Sequence, residues 1–111
     1  MVIAGADFGS NKVGYIVAEV KGAGFETLER ESRFTRLAEG IGESNRLSGE
    51  AMARTLLWCN EMHKRLRKRK VERFRGVGTE AMRRASNTAD FLELIESILG
   101  WPVEVVTGDE E

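Results

Sequence analysis

At 111 residues, with 41% apolar and 32% charged side chains, the chain has the composition of one globular domain with a single core, which excludes a disordered or fibrous polypeptide. No stretch approaches the roughly 20 consecutive apolar residues of a membrane span, and the opening MVIAGADFGS enters a strand pattern without a basic leader, so neither a membrane partner nor a signal peptide is expected. Cys59 is the only cysteine, which rules out an internal disulfide and leads us to expect a reducing, cytoplasmic setting.

In chain order, Val2–Asp7 reads as a short apolar strand, followed at once by the turn formers Gly9, Ser10 and Asn11. A second strand is expected over Lys12–Lys21, rich in Val13, Tyr15, Ile16, Val17 and Val20. Gly22-Ala23-Gly24 supplies the next reversal, and Phe25–Thr35 reads as a third strand. Tight turns between consecutive strands imply an antiparallel meander. Residues 36–47 read as a glycine-rich loop.

Ser48 has the chemistry of a helix N-cap, with Glu50 in the first turn. Met52, Thr55, Leu56, Cys59, Met62 and Leu66 recur at three- and four-residue steps, which predicts one buried stripe on a helix reaching about Arg69. Arg73–Gly78 is expected as a strand and Glu80–Ala85 as a short helix merging into a second one. Asn87 is expected to cap that second helix, Phe91, Leu92, Ile95 and Leu99 to form its apolar face, and Gly100 to end it. Val103–Thr107 closes the pattern as a strand. The order βββαβαβ indicates an α/β fold with a mixed sheet flanked by helices.

Charge is unevenly spread. Residues 64–75 carry 8 basic and 1 acidic side chain, whereas residues 76–111 carry 2 basic and 8 acidic. The basic block has the sign to attract a polyanion, although such runs are commonly solvated faces.

Three segments have chemistry beyond packing. In Asp7-Phe8-Gly9-Ser10-Asn11, glycine permits close backbone approach and Ser10 and Asn11 add donors for a phosphate; Asp7, ending a strand, offers the carboxylate oxygen that Mg²⁺ favours. In Gly78–Asn87, Thr79 and the start of a helix follow a strand, where anions bind, and Arg83 offers a planar fork to a phosphate oxygen. In Thr107–Glu111, three carboxylates follow an apolar strand, as a metal site or a general base requires. Each has a plain structural alternative: a hairpin turn, surface arginines, an acidic tail. His63 and Cys59 read as structural, and Trp58 and Trp101 as packing groups. No GxxxxGK[ST] loop, zinc spacing or GxGxxG motif occurs.

Taken in order, Asp7–Asn11, Arg36-Leu-Ala-Glu39-Gly40, Gly78-Thr79-x-x-Met82-Arg83-x-Ala85-x-Asn87 and Val103–Glu111 resemble the opening of the exopolyphosphatase / guanosine pentaphosphate phosphohydrolase (Ppx/GppA) family. The resemblance spans essentially the whole chain and implies a ribonuclease-H-like lobe of the actin-like ATPase superfamily, the N-terminal lobe of a two-lobed Mg²⁺-dependent hydrolase. It implies that Asp7 through Asn11 form a phosphate-binding turn, with Gly9, Ser10 and Asn11 contacting phosphate beside the Thr79 and Asp7 contacts read above, and that Arg83 acts toward phosphate and Glu111 toward the attacking water as catalytic residues. Lys12 and Gly14 depart from the family pattern, which has a small residue and an arginine or histidine there. The implied substrates are polyphosphate or guanosine pentaphosphate, without nucleic acid, in a homodimer at full length. A single lobe with the second absent is expected to have little or no activity, because orientation and water exclusion supply much of the rate. A different class, a non-catalytic polyphosphate- or nucleotide-binding module, also fits these residues.

Overall fold

The computed structural model describes residues 1–107. Three strands come first: β1 (Val2–Phe8), β2 (Lys12–Lys21) and β3 (Gly24–Phe34), paired antiparallel in sequence as a meander. Then follow α1 (Ile41–Ser44), α2 (Gly49–Lys68), β4 (Arg73–Gly78), α3 (Glu80–Arg84), α4 (Thr88–Leu99) and β5 (Val103–Val105). The five strands form one mixed sheet in the order β3-β2-β1-β4-β5, with β1, β4 and β5 mutually parallel. Consecutive strands joined by short turns must run antiparallel, whereas the helical crossovers through α2 and α4 permit parallel neighbours.

Alternation along the strands decides which face is covered. Ala4, Ala6 and Phe8 of β1 and Val13, Tyr15 and Val17 of β2 join the same core as Trp58, Met62 and Leu66 of α2 and Phe91, Ile95 and Leu99 of α4. The intervening residues Ile3, Gly5 and Asp7 face the other way. Each large apolar side chain buried in this core contributes about 1.5–3 kcal/mol relative to exposure. The stripe expected on α2 is the one buried, and the Ser48 hydroxyl accepts the Ala51 amide at 3.0 Å as its N-cap. Trp58 fills the centre under β2 and donates its indole N–H to the Val13 carbonyl at 2.9 Å. Trp101 stacks on Phe74 with ring centroids 5.0 Å apart.

Local geometry differs from expectation at four places. The 36–47 segment contains one turn of helix, α1, anchored by the buried Ile41; one turn is too short to show periodicity. Asn87 precedes α4 but makes no side-chain cap. Its amide instead accepts from the Leu47 N–H at 2.8 Å and donates to the Leu47 carbonyl at 3.1 Å, clamping the entry to α2. α3 does not merge into α4, because Ala85 is extended and Thr88 Oγ1 donates to the Met82 carbonyl at 2.7 Å to turn the chain. Finally, β3 carries an extra residue: Val17 pairs with Glu29 and Ala18 with Thr27, leaving Leu28 as a bulge that reverses the alternation of that strand.

Candidate phosphate site at the carboxyl end of the sheet

Parallel β1 and β4 end side by side, with Phe8 opposite Gly78. The chain leaves β1 in a turn and β4 through Thr79 into α3, at the carboxyl end of the strands, where the ligand crevice of open α/β sheets lies. The Phe8 carbonyl accepts both the Thr79 amide at 3.2 Å and the Thr79 hydroxyl at 3.3 Å, binding the two turns into one surface.

Asp7 occupies the exposed side of β1 one residue before this joint, with Gly14 and Val77 as its neighbours in the sheet. In the next turn the Gly9 amide donates to the Lys12 carbonyl at 3.1 Å. Gly9 is therefore required for compactness, since a Cβ there would lie 3.0 Å from the same Lys12 oxygen. Its amide closes the turn, which leaves Ser10 and Asn11 as the donors of that segment.

Those two residues are fixed from outside. Their carbonyls accept the Ala38 and Arg36 amides, both at 2.9 Å. Leu37 is fully buried between these bonds and Arg36 adopts φ 52°, a left-handed kink that allows the zipper. Arg54 on α2 holds the following stretch through the Thr35 carbonyl at 3.0 Å and Glu39 at 3.5 Å. The order of motifs pointed to residues 36–40; their function of bracing the Ser10–Asn11 turn had no local signal.

Arg83 projects from α3, and its Nη1 donates to the Val106 carbonyl at 2.6 Å, while the Val106 amide reaches the Gly78 carbonyl at 3.0 Å. The end of β5 is thereby drawn to the same edge as Asp7, Thr79 and the 9–11 turn. Glu111, the expected base, lies outside the described residues. Of the expected residues, Asp7 and Thr79 line one open hollow together with Lys12 and Val106, Gly9, Ser10 and Asn11 occupy the turn that follows β1, and Arg83 is tied to the end of β5 through Val106. Neighbouring Arg84 pairs with Glu80 at 3.6 Å on the surface. Among the described residues no group of three or more His, Cys, Asp or Glu side chains converges as a metal site.

Other groups singled out in the sequence are structural. His63 Nδ1 lies 3.3 Å from the Leu99 carbonyl oxygen. Burial pushes the Cys59 thiol up to about 12. The basic block is divided among α2, β4 and the connection between them, and is partly neutralised: Arg65 bonds Glu61 and the Tyr15 hydroxyl, Arg69 bonds Glu29 at 2.9 Å, and Arg75 pairs with Glu104. Tyr15 in turn donates to Glu29, holding that carboxyl below its ordinary range. No helix of the described residues is long and apolar enough to cross a membrane.

A family model described as the Ppx/GppA phosphatase family matches residues 16–111. Among solved structures, the Aquifex aeolicus Ppx/GppA family member is 34% identical, with TM-score 0.95 over 99% of this chain and 36% of its own. An exopolyphosphatase from Cytophaga hutchinsonii is 26% identical, with TM-score 0.95 over 100% of this chain and 36% of its own. This chain therefore spans about a third of the length of those relatives. RuvC of Thermus thermophilus, 19% identical with TM-score 0.55 over 99% of this chain and 66% of its own, shares the fold alone. The lobe is ribonuclease-H-like, of the actin-like ATPase superfamily.

Proposed function

Because this chain belongs to the Ppx/GppA phosphatase family, we propose that it forms the N-terminal lobe of a Mg²⁺-dependent hydrolase removing the terminal phosphate of polyphosphate or guanosine pentaphosphate. The observation that carries this reading is the pair of hydrogen bonds that Thr79 donates to the Phe8 carbonyl, which joins the start of α3 to the strand end before the 9–11 turn, the two segments expected to hold phosphate.

In this reading the Ser10 and Asn11 groups and Thr79 orient the phosphate oxygens, and Arg83 neutralises charge that builds on them. Asp7 is one exposed carboxylate at the strand end, which suits Mg²⁺, an ion held by one or two carboxylates together with substrate phosphates. The metal, when bound, supplies charge neutralisation between phosphate groups. Glu111 accepts the proton of the attacking water. The cytoplasm, where both substrates and reduced thiols occur, is the proposed setting.

The lobe alone is proposed to bind without efficient turnover, since half a cleft neither aligns nor dries the reacting phosphate. Two measurements test this. Titrating the 111-residue chain with Mg²⁺ and tripolyphosphate should shift the amide resonances of Asn11 and Thr79. Splicing the chain onto the remaining two thirds of the Aquifex aeolicus relative should yield an enzyme that releases phosphate, and Glu111→Gln should silence it. A folded hybrid that releases none, together with unmoved resonances in the lobe, defeats the proposal.

A further inference from the structure

Lys12 opens β2 directly after the 9–11 turn, and strand alternation fixes the side on which it stands. Val13, Tyr15 and Val17 enter the core shared with α2. Lys12, Gly14 and Ile16 therefore belong to the opposite side of the strand, the side of Asp7, which lies directly across from Gly14. Lys12 is exposed, and it lines the hollow of about 810 Å³ that Asp7, Thr79 and Val106 also line. Its backbone is held in place: the Lys12 carbonyl accepts the Gly9 amide at 3.1 Å, and the residue pairs with Phe34 of β3.

The Lys12 ammonium has no hydrogen bond or ion pair among the described residues. By contrast, Arg83 donates to the Val106 carbonyl and Arg75 pairs with Glu104. An anion in the hollow recruits Lys12 without breaking an existing contact. A compact charge with three rotatable donors on a four-carbon stem suits the tetrahedral oxygens of phosphate.

The way from Lys12 to Asp7 passes over Gly14. The two β2 residues are one strand repeat apart, about 6.5–7 Å, which is the scale of a lysine stem. A Cβ at Gly14 would lie 3.1 Å from Ser32 Cβ and 3.3 Å from the Glu31 carbonyl oxygen, so a side chain there would have to displace β3. The bare backbone instead leaves room for the Lys12 stem to lie across it toward Asp7. Lys12 and Gly14 are also the two positions at which the chain departs from the family pattern. The small residue and the basic one have exchanged places along one side of one strand.

We propose that the Lys12 ammonium is a phosphate-binding group of the candidate site, reaching over Gly14 to hold the phosphate beside the one at Asp7 and Thr79. The assignment rests on the phosphatase reading and adds to it a residue specific to this chain.

The test titrates the 111-residue chain and three variants with tripolyphosphate in the presence of Mg²⁺, at fixed ionic strength. Lys12→Gln is expected to bind about ten-fold more weakly, the low end for a charge-assisted bond because the hollow is open to solvent. Lys12→Arg, which keeps the charge, should stay within about two-fold of the unsubstituted chain. Lys21→Gln removes the same charge at the far end of the same strand, where Lys21 pairs with Glu26, and should leave affinity unchanged. The Lys12 side-chain methylene resonances next to the ammonium should shift on titration, which a purely structural lysine would not show. Thermal melting of the variants establishes that they fold. Equal losses in Lys12→Gln and Lys21→Gln would overturn the assignment in favour of long-range charge. Undiminished binding by Lys12→Gln, with Asn11 and Thr79 still shifting, would overturn it and leave the phosphate site standing. Unmoved Asn11 and Thr79 in the unsubstituted chain would overturn it together with phosphate binding by this lobe.

Discussion

Thr79 reaches the Phe8 carbonyl twice, through its amide at 3.2 Å and its hydroxyl at 3.3 Å. One acceptor thus joins the ends of two parallel strands that are 71 residues apart in sequence. A carbonyl has two lone pairs, so both bonds form without competition. The consequence is that the turn after β1 and the start of α3 move as one body.

Removing only the hydroxyl isolates its share. Thr79→Val should lower unfolding free energy by about 0.5–1.5 kcal/mol, the usual net value of one such bond, while Thr79→Ser should restore most of it. Urea denaturation measures both. Tripolyphosphate affinity should fall in the same order, and an unchanged affinity in the valine variant would separate Thr79 from the phosphate site.

The Tyr15–Glu29 pair predicts a pH dependence. Glu29 is held below its ordinary value of 4.5, first by the Tyr15 hydrogen bond, against desolvation, and then by Arg69. A carboxyl depressed on folding stabilises the protein above 4.5 and loses that contribution as pH falls through the lower folded-state value. Tyr15, raised above 10.0 mainly by burial, contributes fully below that value and loses it as pH rises through the folded one. Tyr15→Phe should therefore flatten both limbs of a melting-temperature profile and cost about 1–2 kcal/mol at neutral pH. Profiles that superimpose after subtraction of a constant would refute the linkage.

Cys59 is fully buried, and its thiolate is disfavoured because burial pushes the thiol up to about 12. Labelling by a disulfide reagent at pH 8 should proceed only through opening of α2 from the sheet. Its rate should rise in step with the unfolded fraction as urea is added. Rapid labelling in water would mean that the core beneath α2 is open.

Gly76 sits where a Cβ would come within 2.9 Å of both the Phe74 ring and Val103. Gly76→Ala should destabilise by about 1–3 kcal/mol, the cost of overpacking, and should loosen the Phe74–Trp101 stack. Tryptophan near-UV circular dichroism together with urea midpoints reports both effects.

Arg83 should act as a tie as well as a phosphate contact. Arg83→Gln should raise the hydrogen-exchange rate of the Val106 amide about ten-fold, by freeing the carbonyl it holds at 2.6 Å. If Arg83 were only a surface cation, exchange at Val106 would not change.

What the sequence determined by itself was local and periodic. The α2 stripe from Thr55 to Leu66, the Ser48 cap, the strand at Arg73–Gly78 and the meander from Val2 to Phe34 follow from side-chain spacing, turn formers and short connections, all of which act within a few residues. The motif order also identified the strand ends that carry the candidate site. Only the tertiary structure decided the rest, because the partners are remote in the chain. It assigned the Asn87 amide to Leu47, 40 residues away, where a cap was expected. It placed Leu28 in a bulge, which depends on registration against β2, and gave Gly9 its closing bond within a turn braced by Arg36 and Ala38. It also arranged Arg30, Ile16, Gly5 and Arg75 in one row, since cross-strand neighbours are set by sheet registration, which no spacing along the chain encodes.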